Sequence, residues 1–255
     1  NAVALNTCVW TYINPLSDAT QSMVGTGTPN AWLTILVPAG TAHDVWTAGN
    51  DAPRVMQPAN NTDFELEVKF ESGLVGQFQV QGLIIEENSD NYLRFDFHSD
   101  GPNTRVFAAS FVGGYPTAQV DNAIGASGLA PLYMRVKRQG NQWTESYSLD
   151  GTTYTTAVSF SQTLTVSSVG PFIGNAGAIP PAFTGLVDYF FNTSSPVVPE
   201  DVPGAPTKVR VETAADGSGT VVPAQTILSG TSKTGYAITR DASNNFIANV
   251  AADSW

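Results

Sequence analysis

The stretch from Leu132 to Tyr154, LYMRVKRQGNQWTESYSLDGTTY, most narrows what this chain can fold into. Leu132, Met134 and Val136 alternate with Tyr133, Arg135 and Lys137, the period-2 pattern of a half-buried strand. Trp143, Glu145 and Tyr147 alternate in the same way with Thr144, Ser146 and Ser148. Gly140-Asn141 and Asp150-Gly151 sit at the ends of these runs as hairpin turns. The unit is predicted to be a β-meander with aromatic rings on a strand surface.

Nothing elsewhere competes with an all-β reading. No 11-residue window keeps a 3.6-residue apolar period, and 23 glycines, 16 prolines and only 13% charged residues are unusual for a helical protein. An apolar content of 42% is enough for a real core. No apolar run approaches the roughly 18–20 residues a membrane helix needs. The 22 acidic and 11 basic residues give a net charge of −11, which argues against nucleic acid or an anionic membrane as partner. Cys8 is the only cysteine, so no internal disulfide forms, and it reads as a small buried hydrophobe. With His43 and His98 as the only histidines, too few soft ligands remain for a structural zinc site.

The composition changes at Ser195. SPVVPEDVPGAP carries prolines at 196, 199, 203 and 206, a semi-rigid extended spacer. Residues 1–195 are expected to form one β-sandwich, 196–206 a linker, and 207–255 the opening strands of a second, immunoglobulin-like β-module. That module is too short to be comfortable alone, so it is read as truncated at Trp255 or completed by another chain. Its turns are placed at Asp216-Gly217, Ser229-Gly230 and Asn244-Asn245. The start at Asn1 suggests a removed leader or a piece of something larger.

Within the first block, strands are expected near 32–37, 64–71, 76–86, 91–98, 105–112, 132–138, 142–149, 158–160, 170–173 and 183–192. Ten or more strands in that length suggest two antiparallel sheets packed face to face.

Four segments carry a family resemblance. They are DVWTAGNDAPRVMQP (44–58) before the strand DFELEV, GQFQVQGLIIEENSDNYLRFDF (76–97), the meander with Tyr154 in place of the more usual Trp, and FTGLVDYFF (183–191). Together they resemble the concanavalin A-like lectin/glucanase superfamily, and in particular bacterial sandwich domains appended to secreted glycoside hydrolases. The resemblance implies a jelly-roll sandwich and glycan recognition, in a family that spans enzymes and binding modules.

The related glucanases use Glu-x-Asp-x-Glu on a strand. Here Glu65 and Glu67 are followed by Lys69 where the third carboxylate belongs, so the strand 64–71 is expected to present a solvated outer face. The polar side of 91–98 is more promising. Tyr92, Arg94, Asp96 and His98 offer ring stacking and forked hydrogen bonds to sugar hydroxyls, and Gln79 and Gln81 are expected on the neighbouring polar face. The alternative is an ordinary exposed sheet with an Arg94–Asp96 pair.

Trp46, in a loop with His43, Asp44, Asn50, Asp51 and Arg54, is the leading stacking residue, or else caps one end of the core. Trp143, Trp10 and Trp32 are read as core. Glu86, Glu87, Asn88, Asp90 and Asn91 form an oxygen-rich turn that could hold calcium or be a plain polar hairpin turn. No Gly-x-Ser-x-Gly elbow or phosphate loop is present; Gly25-Thr26-Gly27 precedes no helix.

The expectation is therefore a non-catalytic polysaccharide-binding module of a secreted or cell-surface bacterial protein, with further domains of the same chain as neighbours. Its ligand contacts would be Trp46, Arg54, Gln79, Gln81, Tyr92, Arg94, Asp96 and His98. A structural or adhesive surface domain, and a hydrolase using Glu65 and Glu67, are the alternatives.

Overall fold

The computed structural model describes residues 5–25, 31–47, 49–194, 206–215, 219–226, 229–240 and 246–251. The chain forms two compact units, one built from residues 2–26 and 30–196 and the other carrying 197–255. Most of the proline-rich segment 196–206, the Asp216-Gly217 and Asn244-Asn245 turns, Thr26-Gly27 and Trp255 lie outside the described residues.

The larger unit holds β1 (Thr11–Ile13), β2 (Thr20–Val24), β3 (Trp32–Val37), β4 (Val45–Trp46), β5 (Gly49–Asn50), β6 (Arg54–Pro58), β7 (Phe64–Phe70) and β8 (Gln79–Glu86). It continues with β9 (Tyr92–Ser99), β10 (Asn103–Val112), β11 (Tyr115–Ala126), β12 (Leu132–Gln139), β13 (Gln142–Ser148), β14 (Thr155–Ser161), β15 (Ser168–Asn175) and β16 (Phe183–Asn192). Two seven-stranded antiparallel sheets result, in the orders β1-β6-β15-β8-β9-β10-β11 and β14-β13-β12-β7-β16-β3-β2. The predicted all-β sandwich is the observed architecture, and no element among the described residues is a helix.

The two sheets bury one contiguous core. Leu83, Ile85, Leu93, Phe95, Phe97, Val106 and Ala108 from the first sheet meet Leu66, Val68, Phe70, Leu132, Met134, Val136 and Trp143 from the second. The meander is β12–β13–β14, with Val136 opposite Glu145 and Arg138 opposite Trp143. Trp143 is fully buried and donates its indole N–H to the Gln162 carbonyl at 2.8 Å.

The first sheet is covered on its other face as well. Residues 43–47 and 49–53 fold back over it as a flap, and Val45 and Ala52 pack on Met56, Val80, Ile84, Tyr92, Phe107, Ala109, Phe111 and Phe172 as a second, smaller core. Gly174 on β15 allows this layering: a Cβ there would come within 2.4 Å of the His43 carbonyl oxygen and 3.7 Å of the Ala52 side chain.

Several expectations need correcting. Cys8 is exposed, and Trp32 is only half-buried, so neither is core. The outer face of β7 is not solvated at Glu67 and Lys69, which are 5% and 9% exposed. Glu67 accepts hydrogen bonds from Arg135 Nε at 2.6 Å and from the Tyr189 hydroxyl at 2.7 Å, while Lys69 bonds Asp188 at 2.6 Å. Burial, and then the neighbouring Glu67, hold the Tyr189 hydroxyl far above the ordinary phenol range.

The smaller unit has one described sheet, β17 (Lys208–Glu212), β18 (Tyr236–Arg240) and β19 (Phe246–Val250), in the order β17-β18-β19. Arg240 grips Glu212 through two bonds of 2.6 Å, and that hydrogen bonding lowers the Glu212 carboxyl below its ordinary range. Ala237 and Ile238 are buried.

Candidate functional site

Strand pairing decides which side chains share the covered face of the first sheet. His98 lies opposite Val80 and Arg105, Asp96 opposite Gly82 and Phe107, and Arg94 opposite Ile84 and Ala109. On β11, Asp121 pairs with Phe107 and Ala118 with Ala109. Where the 43–53 flap stops short of β11, a cavity of about 460 Å³ opens. Trp46, Phe78, Phe107 and Val80 form its apolar surface; Asp44, Arg94, His98 and Asp121 supply its polar groups. That volume is in the range of small-molecule sites.

Trp46 combines the two roles the sequence left open. Its ring is half-buried, meeting Phe107 and Phe111 edge-on at 5.8 and 6.0 Å, and it also faces the cavity. Phe78 is held in the left-handed backbone region, φ 64°, a rare conformation for a bulky residue. Hydrogen bonds fix it there: its N–H donates to the Ser99 carbonyl at 2.7 Å and its carbonyl accepts from Ala176 at 3.0 Å. The result leaves the ring 40% exposed on the cavity wall, and Gly177 leaves room for it, since a Cβ there would come within 2.7 Å of the ring.

Arg94 and Asp96 are scaffold here rather than free ligand contacts. Arg94 donates Nε to Asp96 Oδ2 at 2.5 Å and Nη1 to the Val45 carbonyl at 2.5 Å, so it clamps the flap to the sheet. Its guanidinium lies 4.9 Å from the Phe107 ring centre. Asp96 is fully buried and does not line the cavity. His98 stands between two carboxylates, with Nδ1 3.6 Å from Asp96 Oδ1 and Nε2 3.7 Å from Asp121 Oδ1. Those separations are too long for hydrogen bonds.

Four of the predicted contacts lie elsewhere. Tyr92 is 1% exposed and stacks on Phe111 at 4.1 Å, so no sugar can reach its ring. Arg54 is buried against Glu86 at 3.0 Å. Gln79 and Gln81 face the opposite side, because Gln81 pairs with the core residue Phe97. Gln81 exchanges two hydrogen bonds with Ser72 at 2.5 and 2.9 Å, and Gln79 bonds Val75, Gly76 and Ala182 at 2.9 Å. Both amides are satisfied internally.

Phe78, Phe107 and Asp121 were missing from the sequence reading. Phe107 is recoverable from the face Arg105, Phe107, Ala109, Phe111; Asp121 is not, because Pro116, Asn122 and two irregularities in the pairing of β11 break its alternation.

The oxygen-rich turn binds protein donors. Glu87 Oε2 accepts from Thr165 N–H at 2.9 Å, and Asn88 Oδ1 from the N–H groups of Asp90 and Asn91 at 3.0 and 2.9 Å. Among the described residues, no group of three or more His, Cys, Asp or Glu side chains is placed to hold a metal ion.

No protein-family model matches this chain, and neither does any curated protein. Solved structures do share its fold. A functionally unknown protein from Saccharomyces cerevisiae superposes with a TM-score of 0.58 at 13% identity, over 74% of this chain and 98% of that one. A GH43 glycoside hydrolase, engineered to display both endo-xylanase and exo-arabinofuranosidase activity, gives 0.53 at 13% identity, over 72% of this chain and 38% of its own. A bifunctional GH43-CE protein of Bacteroides eggerthii gives 0.50 at 12% identity, over 74% and 22%. The chain thus spans well under half of either hydrolase, and at these identities what is shared is the fold.

Proposed function

We propose that this chain is a non-catalytic carbohydrate-binding module, and that it holds a polysaccharide unit in the cavity between the 43–53 flap and β11. The observation that carries the reading is the pairing of two ring surfaces, Trp46 and Phe78, with Asp44, His98 and Asp121 in one open cavity. Apolar sugar faces stack on such rings while hydroxyls donate to carboxylates. The fold's occurrence within glycoside hydrolase chains supports a role beside such enzymes, in a secreted or cell-surface parent. Glu67 argues against hydrolysis on β7, because both its oxygens are taken by Arg135 and Tyr189.

The test is retention of the full chain on insoluble polysaccharides, with reducing-sugar release measured alongside. Retention without release is expected. Release, or failure to bind any glycan, overturns the reading, the latter in favour of a structural or adhesive domain.

Phe78→Gly isolates the site from the fold, since glycine takes the positive φ without strain. Stability should change by no more than about 1 kcal/mol, while retention falls at least severalfold. Trp46→Ala should abolish retention, but lose about 2 kcal/mol of stability as well, half the value for a fully buried ring. Binding by column retardation and urea unfolding check both variants.

A further inference from the structure

The cavity's charges are not evenly available. Its one permanent cation, Arg94, has a side chain 8% exposed; it spends Nε on Asp96 and Nη1 on the Val45 carbonyl, with Asp44 Oδ1 3.6 Å from Nη1. Arg105, opposite His98 on β10, donates Nε to Asp121 Oδ1 at 2.6 Å and Nη1 to Asp100 at 3.1 Å. The carboxylates are more open: the side chains of Asp44 and Asp121 are 32% and 49% exposed. Each uses Oδ1 internally, Asp44 for the Val45 N–H at 2.8 Å and Asp121 for Arg105. Among the described residues, neither Oδ2 accepts a hydrogen bond. The site therefore presents two open carboxylate acceptors and π faces, against which stand, among the described residues, only Arg94 Nη2 and the His98 imidazole as donors, each beside a carboxylate, Asp44 and Asp121 respectively.

Resting on the glycan reading of this cavity, we infer that it ranks sugars by charge: amino sugars above neutral sugars, and neutral sugars above uronic acids. An ammonium gains from Asp44, Asp121 and the faces of Trp46 and Phe78. A uronate finds only Arg94 Nη2 and the His98 imidazole as donors, and at each it meets a carboxylate already alongside, Asp44 3.6 Å from Arg94 Nη1 and Asp121 3.7 Å from His98 Nε2. The net charge of −11 acts in the same direction on an approaching polyanion.

The test titrates the full chain, isotopically labelled at tryptophan nitrogen, with the methyl β-glycosides of glucosamine, glucose and glucuronic acid. The Trp46 indole N–H signal is followed and is assigned by its absence in Trp46→Phe. Each step in charge should change affinity about threefold, the scale of a partly exposed ion pair, giving about tenfold across the series. Asp121→Asn should compress that span while Arg105 keeps its acceptor, and Asp44→Asn should compress it independently. Molar salt should narrow it in the unaltered protein.

Glucuronide binding as tight as glucoside binding overturns the ranking and leaves the glycan reading intact. So does a span unchanged in both Asn variants. No shift of Trp46 with any of the three overturns both the ranking and the assignment of this cavity to glycan.

Discussion

Replacing Glu145 by Leu stabilises the protein at neutral pH by about 2 kcal/mol, the scale of one unsatisfied buried polar group. For a domain of this size that is a rise in Tm of about 4–8 °C. Glu145 is 0% exposed, points into the core beside Trp143, and neither carboxyl oxygen has a hydrogen-bond partner. Burial first, and then the charge of Asp96, hold its carboxyl well above the ordinary value of 4.5. The folded state therefore keeps a proton there that the unfolded chain releases. The sign follows from linkage: stability from this group is complete below about pH 4.5 and is lost as pH rises toward the folded value. Urea unfolding across pH 4–9 should show the parent losing stability with rising pH relative to Glu145→Leu. Parallel pH profiles, or a variant less stable than its parent at pH 7, would show that Glu145 has a partner in solution.

Arg94→Ala should be the most damaging single change at the site, costing about 3–5 kcal/mol by leaving a buried carboxylate without its cation. Asp96 is fully buried and its Oδ1 already lacks a partner, so Arg94 supplies its only hydrogen bond among the described residues. The same substitution frees the Val45 carbonyl and with it the flap that carries Trp46. Arg94→Met combined with Asp96→Leu should recover most of the loss, since an apolar pair removes both charges. Thermal unfolding of the two variants decides this. Equal destabilisation of the single and double variants would mean that Arg94 acts through packing on Phe107 and Phe172 rather than through charge.

The fold was legible because the sandwich interior alternates cleanly. Leu132, Met134 and Val136, and Leu93, Phe95 and Phe97, all face inward as their spacing predicts. The pattern fails where a strand is covered on both sides. In β8 every residue is buried, so Val80, Leu83, Ile84 and Ile85 carry no period, and Gln79 and Gln81 were placed on the wrong face. It also fails at β11, a largely exposed edge strand in which Val120 and Ile124 reach the core but shifts in the pairing to β10 interrupt the period.

The site was half legible for a related reason. Arg94, Asp96 and His98 do gather under the flap that carries Trp46, but local sequence cannot show which polar group is consumed by another. Arg94 and Asp96 read as a sugar fork and are a clamp. Tyr92 read as a platform and is covered by Phe111. Burial of Glu67 depends on Arg135 and Tyr189, 68 and 122 residues away, beyond any motif window.

The most direct test is a crystal structure of the chain with an oligosaccharide cut from whichever polysaccharide retains it. The account predicts a sugar ring in contact with both Trp46 and Phe78, with hydroxyl or amino groups donating to Asp44 or Asp121. A sugar bound instead on the outer face of β7 and β12, or nowhere on this sandwich, would contradict it.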